Sequence, residues 1–448
     1  MAKVGWQQTL KTFTSKKFLF LFLLGISSGL PLALTGGTLQ AWMTDLKVDL
    51  KTIGLFASMG LPYTLKFLWA PLMDRYSIPF LGRWMDRRRS WTLFCQVGLV
   101  SSLLFLSSTN ALEQAPLVVL LCLIISFFSA SQDIVLDAYR REILSDEELG
   151  LGSGVFVNGY LIAFRWISGA GAILISTFLA WSVVFQIMAV LMGILAVVTF
   201  LAPSPLRLAE APKSLKESVV GPLKEFFSNP SALTILAFII LYKLGDNLAG
   251  SMTIPFILKN GYTKLEYVAI SKGVGFVGIL IGSLLGGFIV LRLKIHRSLW
   301  LMGFLQAVST FGFALLAGHD KNLMALSAVM FFENLTAGMG TSAFTAFMAS
   351  VTNVKFTATQ YALLSSLMGV PRVIFASRTG VIAEQMGWFG FFNFCTLIAI
   401  PGMFLILFLE KPPTSGWKKW LHHFLIAITI AAGIYATIAS VIDLLGLK

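Results

Sequence analysis

The stretch Leu117-Val-Val-Leu-Leu-Cys-Leu-Ile-Ile-Ser-Phe-Phe-Ser-Ala-Ser-Gln-Asp-Ile-Val-Leu-Asp137 decides the fold class. Its first half has the composition of a membrane span. Its second half carries two carboxylates, Asp133 and Asp137, four residues apart and so on one helical face. A carboxylate inside hydrocarbon costs roughly 2.5 to 3.5 kcal/mol on insertion scales, so it is normally kept for a pathway or a relay. Asp133 lies about seven residues, or roughly 10 Å of helical rise, inside the Arg140-Arg141 pair. That depth makes it the first candidate for a proton site within the membrane.

The rest of the chain has the same character. Of 448 residues, 56% are hydrophobic and only 12% charged, which describes an all-α integral membrane protein. The net charge of +13 sits in short loops between apolar runs, as cytoplasmic anchors do, and does not point to nucleic acid. Cys95, Cys122 and Cys395 fall within apolar runs and read as packing residues. No Cys or His cluster has zinc spacing, so neither a metal nor a cofactor is expected. The first apolar run lacks a small-residue cleavage site and is expected to stay as an anchor.

Apolar runs of span length fall near 17–43, 50–72, 90–108, 117–139, 151–177, 181–202, 231–257, 265–291, 298–317, 323–351, 358–384 and 387–410, with a further one near 421–445. They divide into a cytoplasmic N-terminus (1–16), a six-helix bundle (17–202), a linker (203–230) with an amphipathic piece from Leu215 to Phe227, a second six-helix bundle (231–410), and a basic loop with an extra C-terminal helix (411–448). With the N-terminus inside, cytoplasmic segments hold about 22 basic residues and outer loops about 5.

Six helices plus six, joined by a basic linker, resembles the major facilitator fold, whose substrate site is expected near the midplane between halves. The loop Ala70-Pro-Leu-Met-Asp-Arg75, followed by Arg87-Arg88-Arg89, resembles that family's Gly-x-Leu-x-Asp-Arg-x-Gly-Arg-Lys motif, with Ala for the first Gly and an insertion before the arginines. Asp74 and Arg75 read as a conformational gate, with Asp74 pairing to cytoplasmic arginines, and Asp137 joins them as a gate residue. Glycines 275, 278, 282, 286 and 287 follow small-x-x-x-small spacing, which allows close helix approach.

Ten charged side chains fall inside the runs: Lys66, Arg165, Lys243, Lys272, Arg372 and Arg378 against Asp133, Asp137, Asp246 and Glu333. Lys66 and Arg378 lie near span ends, where long side chains snorkel. Lys243 and Asp246 can pair on one helix, and Arg165 can pair with Asp133 across adjacent spans. The surplus of cations suits an anionic substrate gripped through carboxylates or phosphates. Gln132, Asn247, Asn334 and Gln360 supply uncharged hydrogen-bonding groups.

Five segments carry a closer resemblance: Gly29 to Met43, Ser129 to Ala138, Leu241 to Gly250, Phe332 to Thr341, and Ala358 to Ser366. They resemble the AmpG family of bacterial muropeptide permeases. That resemblance implies a proton-driven symporter of the bacterial inner membrane, functional as a monomer. It would import N-acetylglucosaminyl-1,6-anhydro-N-acetylmuramyl peptides for cell-wall recycling, a traffic that signals to β-lactamase induction in some bacteria. On that reading Asp133 and Glu333 couple protons, and Arg165, Lys243, Asp246, Lys272 and Arg372 join the four amide side chains in binding substrate. Another anionic solute, such as acetyl-CoA or a sugar phosphate, is the alternative cargo. The loops are too short and basic for an enzyme's catalytic loop. Family members often carry two helices beyond twelve, whereas this chain shows one such run.

Overall fold

A computed structural model describes residues 15–46, 59–110, 113–205, 212, 214–369, 379–409, 416–427 and 429. Among these residues the chain is helical between short connections, without strands. In order the helices are α1 (Lys16–Leu34), α2 (Gly37–Asp45), α3 (Leu61–Leu65), α4 (Ala70–Arg75), α5 (Arg87–Ser107), α6 (Ala115–Ile143), α7 (Leu149–Ile162), α8 (Ala172–Ser176), α9 (Trp181–Leu201) and α10 (Leu215–Ser228). They continue with α11 (Ala232–Tyr242), α12 (Leu244–Lys259), α13 (Lys264–Ala269), α14 (Gly275–Leu293), α15 (Ile295–Ala317), α16 (Leu323–Ser350), α17 (Thr357–Met368) and α18 (Thr379–Leu405).

Ten stretches among the described residues are long and apolar enough to cross a membrane: α1 with α2, α5, α6, α7 with α8, α9, α11 with α12, α13 with α14, α15, α16 and α18. The protein is therefore a multi-pass membrane protein. Of the other expected spans, 50–72 is described only from residue 59, 358–384 only over 358–369 and 379–384, and 421–445 as a helix over 416–427. That last helix docks through His422, whose Nε2 lies 2.7 Å from Thr234 Oγ1 on α11 and whose ring packs on Phe408.

The chain divides into two compact units, Met1–Pro222 with Met348–Leu363, and Leu223–Phe347 with Leu364–Lys448. The expected linker is thus split at Pro222, and residues 348–363 go with the first unit rather than the second. Hydrogen bonds explain the second departure. Lys355 pairs with Glu217 at 2.7 Å, and Gln360 Nε2 donates to Pro222 O at 3.1 Å while its Oε1 accepts from Asn353 N at 2.7 Å.

Each unit is held by a helix pair whose backbones nearly touch. In the first, a Cβ on Gly25 or Gly29 of α1 would stand 2.2 Å from the carbonyl oxygens of Phe156 and Tyr160 on α7. In the second, Cβ atoms on Gly278, Gly282 and Gly286 of α14 would stand 2.7, 2.0 and 2.6 Å from backbone atoms of Phe331, Leu335 and Met339 on α16. The small-residue stripe of α14 therefore works as its spacing suggests, by letting two helices approach where any side chain would collide. At the end of the first unit, Lys17 Nζ bonds Glu148 at 2.6 Å. Burial opposes ionisation of Glu148, but the bonds from Lys17 and Ser145 N outweigh it and hold the carboxyl below its usual range.

Candidate functional site

In the first unit the charges gather around α6. Asp133 accepts a hydrogen bond from Ser28 Oγ on α1 at 2.5 Å. Asp137 pairs with Arg140 one turn on, at 3.0 Å, and Arg140 also donates to Tyr361 Oη at 2.6 Å. The Arg140 guanidinium lies over the rings of Phe156 and Tyr361. Lys66 is only 7% exposed, and its ammonium acts on both Asp133 and Asp137. This corrects the snorkelling expectation for Lys66: the side chain turns inward, where two carboxylates offset its burial.

Gln132 and Asp133 are neighbours in sequence but about 100° apart on the helix, and they meet different surroundings. The Gln132 amide is buried inside the unit. Its Nε2 and that of Gln96 both donate to Ser27 Oγ, at 3.1 and 2.8 Å. Ser27 thus ties α1 to α5 and α6.

The gate motif is equally committed. Buried Arg88 bonds Asp74 at 2.8 Å and Glu142 at 2.7 Å, so Asp74 does pair with an arginine of the loop. The same carboxylate receives Ala358 N, Thr359 N and Thr359 Oγ1 at 3.2, 2.8 and 2.6 Å, capping the first turn of α17. Arg75 donates to Pro212 O and lies over the Tyr76 ring.

In the second unit the cluster forms where a span breaks. Lys243, with φ −100° and ψ 2°, separates α11 from α12. Its Nζ reaches Asp246 Oδ2 at 3.2 Å and Gln306 Oε1 at 3.1 Å. Gly340 leaves the room: a Cβ there would lie 3.1 Å from Gln306 Oε1 and 3.4 Å from Lys243 Nζ. Glu333 accepts from Ser309 Oγ at 2.5 Å and stands close enough to Asp246 and Lys243 to interact with both. Asn247 and Asn334 donate to the carbonyls of Lys243 and Met330, four residues back, at 2.7 and 2.8 Å.

Two further cations sit on π-helical turns, one in each unit. Half-buried Arg165 lies on Ala163–Gly171 and exposed Lys272 on Ile270–Val274. Such turns widen a helix by one residue and recur at functional positions. Arg372 and Arg378 lie outside the described residues. Of the expected binding residues, Lys243 and Asp246 form one cluster with Glu333, whereas Gln132 and Gln360 are engaged elsewhere in the first unit.

Sequence reading passed over Ser28, Gln306, Ser309 and Tyr361. Ser28 and Gln306 were detectable as polar residues within apolar runs; Tyr361 was not, because its partner lies 221 residues away.

Charged side chains paired and hydrogen-bonded within apolar spans, on an all-helical multi-pass fold, mark a functional site within the membrane. The sequence matches the profile of the Major Facilitator Superfamily over residues 21–376. It is 42% identical over 401 residues to the anhydromuropeptide permease of Escherichia coli (strain K12), covering 89% of this chain and 81% of that one. It is also 34% identical over 406 residues to a Rickettsia bellii protein bearing the name AmpG 1, with 89% and 99% covered. The fold is similar to a bacterial homologue of the iron transporter ferroportin in an outward-facing state, at TM-score 0.65 and 13% identity over 88% of this chain and 100% of that one. The human organic anion transporter MFSD10 is similar at TM-score 0.57 and 17% identity, over 87% and 97%. The chain belongs to the major facilitator superfamily and, within it, to the AmpG family of muropeptide permeases. It is a transporter and not an enzyme.

Proposed function

We propose that the protein is a proton-coupled symporter that imports anhydromuropeptides from periplasm to cytoplasm by alternating access. It would work as a monomer in the bacterial inner membrane with its N-terminus inside. The observation that carries this reading is the identity, through nine-tenths of the chain, to an anhydromuropeptide permease. The buried carboxyls supply what coupling needs. Asp133, held by the Ser28 hydroxyl between competing charges, takes up the proton, and Glu333 is its counterpart in the second unit. A proton on Asp133 frees Lys66 and Arg140 to strengthen other pairings, which biases the balance between conformations. Arg165, Lys243, Lys272 and Arg372 neutralise the peptide carboxylates of the cargo. Asp246, Asn247 and Asn334 meet its polar groups. Asp74, Arg75 and Asp137 act as the gate, because the Asp74 cap on α17 and the Asp137–Arg140–Tyr361 chain must both form or break with the position of that helix.

The test is uptake of labelled anhydromuropeptide into proteoliposomes under an inward pH gradient. Accumulation should occur, collapse with a protonophore, and be competed by unlabelled anhydromuropeptide but not by acetyl-CoA or a sugar phosphate. Absence of accumulation, or competition by those two solutes, would overturn the proposal.

A further inference from the structure

The insertion within the gate loop, between α4 and α5, forms an unusual surface. Phe80 is 78% exposed and Trp84 82% exposed, with Tyr76 beside them also exposed. Phe80 has φ 65°, a left-handed backbone that a phenylalanine seldom adopts, and the turn that follows places Arg83 over its ring at 5.9 Å. Met85 is buried and pins the end of the loop, so the aromatic side chains are held outward by the backbone.

The charge of the segment is equally one-sided. Residues 74–89 hold five arginines and two aspartates. Both aspartates are satisfied internally, Asp74 by Arg88 and Asp86 by Arg89, and Asp86 also caps α5 through Arg89 N at 3.1 Å. Arg83 is exposed at the tip, and among the described residues its guanidinium meets the Phe80 ring rather than an acid. The eleven residues between α4 and α5 end where the span-length helix α5 (Arg87–Ser107) begins, and loops at span ends meet the headgroup region.

We propose that Tyr76, Phe80, Arg83 and Trp84 form a binding site for the phosphate headgroup of an anionic phospholipid in the leaflet on that side. The aromatic rings would enter the interface, where indole and phenol rings are favoured, while Arg83 grips the phosphodiester. Charge complementarity and position select a lipid over a water-soluble partner. A soluble partner would have no need of apolar rings at headgroup height.

The test uses the full chain with Trp84→Cys carrying an environment-sensitive fluorophore. The three native cysteines are buried, and Trp84 is exposed enough to be replaced without disturbing the fold. The protein is placed in vesicles of phosphatidylcholine alone, or with phosphatidylglycerol as about a third of the lipid. Emission should shift to the blue in vesicles, the shift should roughly double with the anionic lipid, and headgroup-level spin-labelled lipid should quench it. Adding Arg83→Gln should remove the anionic increment. Emission at the aqueous value in both vesicles would overturn the proposal in favour of a water-soluble partner. An equal shift in both would overturn the recognition of phosphate.

Discussion

The two units bury their charges with different balances. In the first, two carboxyls, Asp133 and Asp137, share their surroundings with two cations, Lys66 and Arg140. In the second, one ammonium, Lys243, faces two carboxyls, Asp246 and Glu333. Lys243 is the cation bonded within the second cluster. A net charge buried in low dielectric is costly, so each cluster favours the state that cancels its charge. The first reaches neutrality with both acids ionised. With Lys243 alone, the second would reach it when one acid carries a proton. Under the proposed proton coupling, a proton in the first unit would go with a change of partner, whereas in the second it could rest beside Lys243.

The largest way to break this contrast is Lys243→Gln. It removes the ammonium from a half-buried pair with Asp246 and from its reach to Glu333, which costs less than the roughly 3–5 kcal/mol of a fully buried pair but remains the largest effect here. A large fall in thermal stability of the purified protein should follow, and most of it should return when Asp246→Asn is added. Equal losses in the single and double variants would show that the pair is not coupled.

A smaller effect probes the scaffolds. Gly282→Ala drives a methyl to 2.0 Å from Leu335 O, and Gly29→Ala drives one to 2.2 Å from Tyr160 O. Each should cost about 1–3 kcal/mol by overpacking. Gly193→Ala, with nothing within 4 Å of the new methyl, should cost nothing and serves as the control. If all three variants melt together, the helix contacts are looser than described.

The smallest effect concerns the half-exposed pair at the end of the first unit. Glu148 is held below its usual range, so its contribution to stability is complete above the unfolded carboxyl value and is lost as pH falls through the lower folded value. The melting temperature should therefore drop more steeply on acidification in the native protein than in Glu148→Gln. Parallel slopes would remove Lys17–Glu148 from the stability of that unit.

Local pattern carried much of this into the sequence. Apolar runs foretold the long spans, glycine spacing foretold the α14–α16 approach, and the three-residue interval of Lys243 and Asp246 foretold their pairing. What depends on distant partners was not legible. Asp74 caps a helix 284 residues away, and nothing in its own motif names Thr359. Neither the π-helical turns under Arg165 and Lys272 nor the break at Lys243 has a periodic signature. Gln132 and Gln360 read as binding residues because polar groups in spans attract that reading, and their internal partners could not be read from the sequence. Their amides donate to the Ser27 hydroxyl and the Pro222 carbonyl, contacts that only packing reveals.

The role of Asp133 is tested most directly by comparing two modes of transport in Asp133→Asn. Labelled anhydromuropeptide is followed into proteoliposomes, once under a pH gradient and once as exchange against unlabelled solute at uniform pH. The account predicts that gradient-driven accumulation disappears while exchange persists. Accumulation at the native level by the asparagine variant would contradict it.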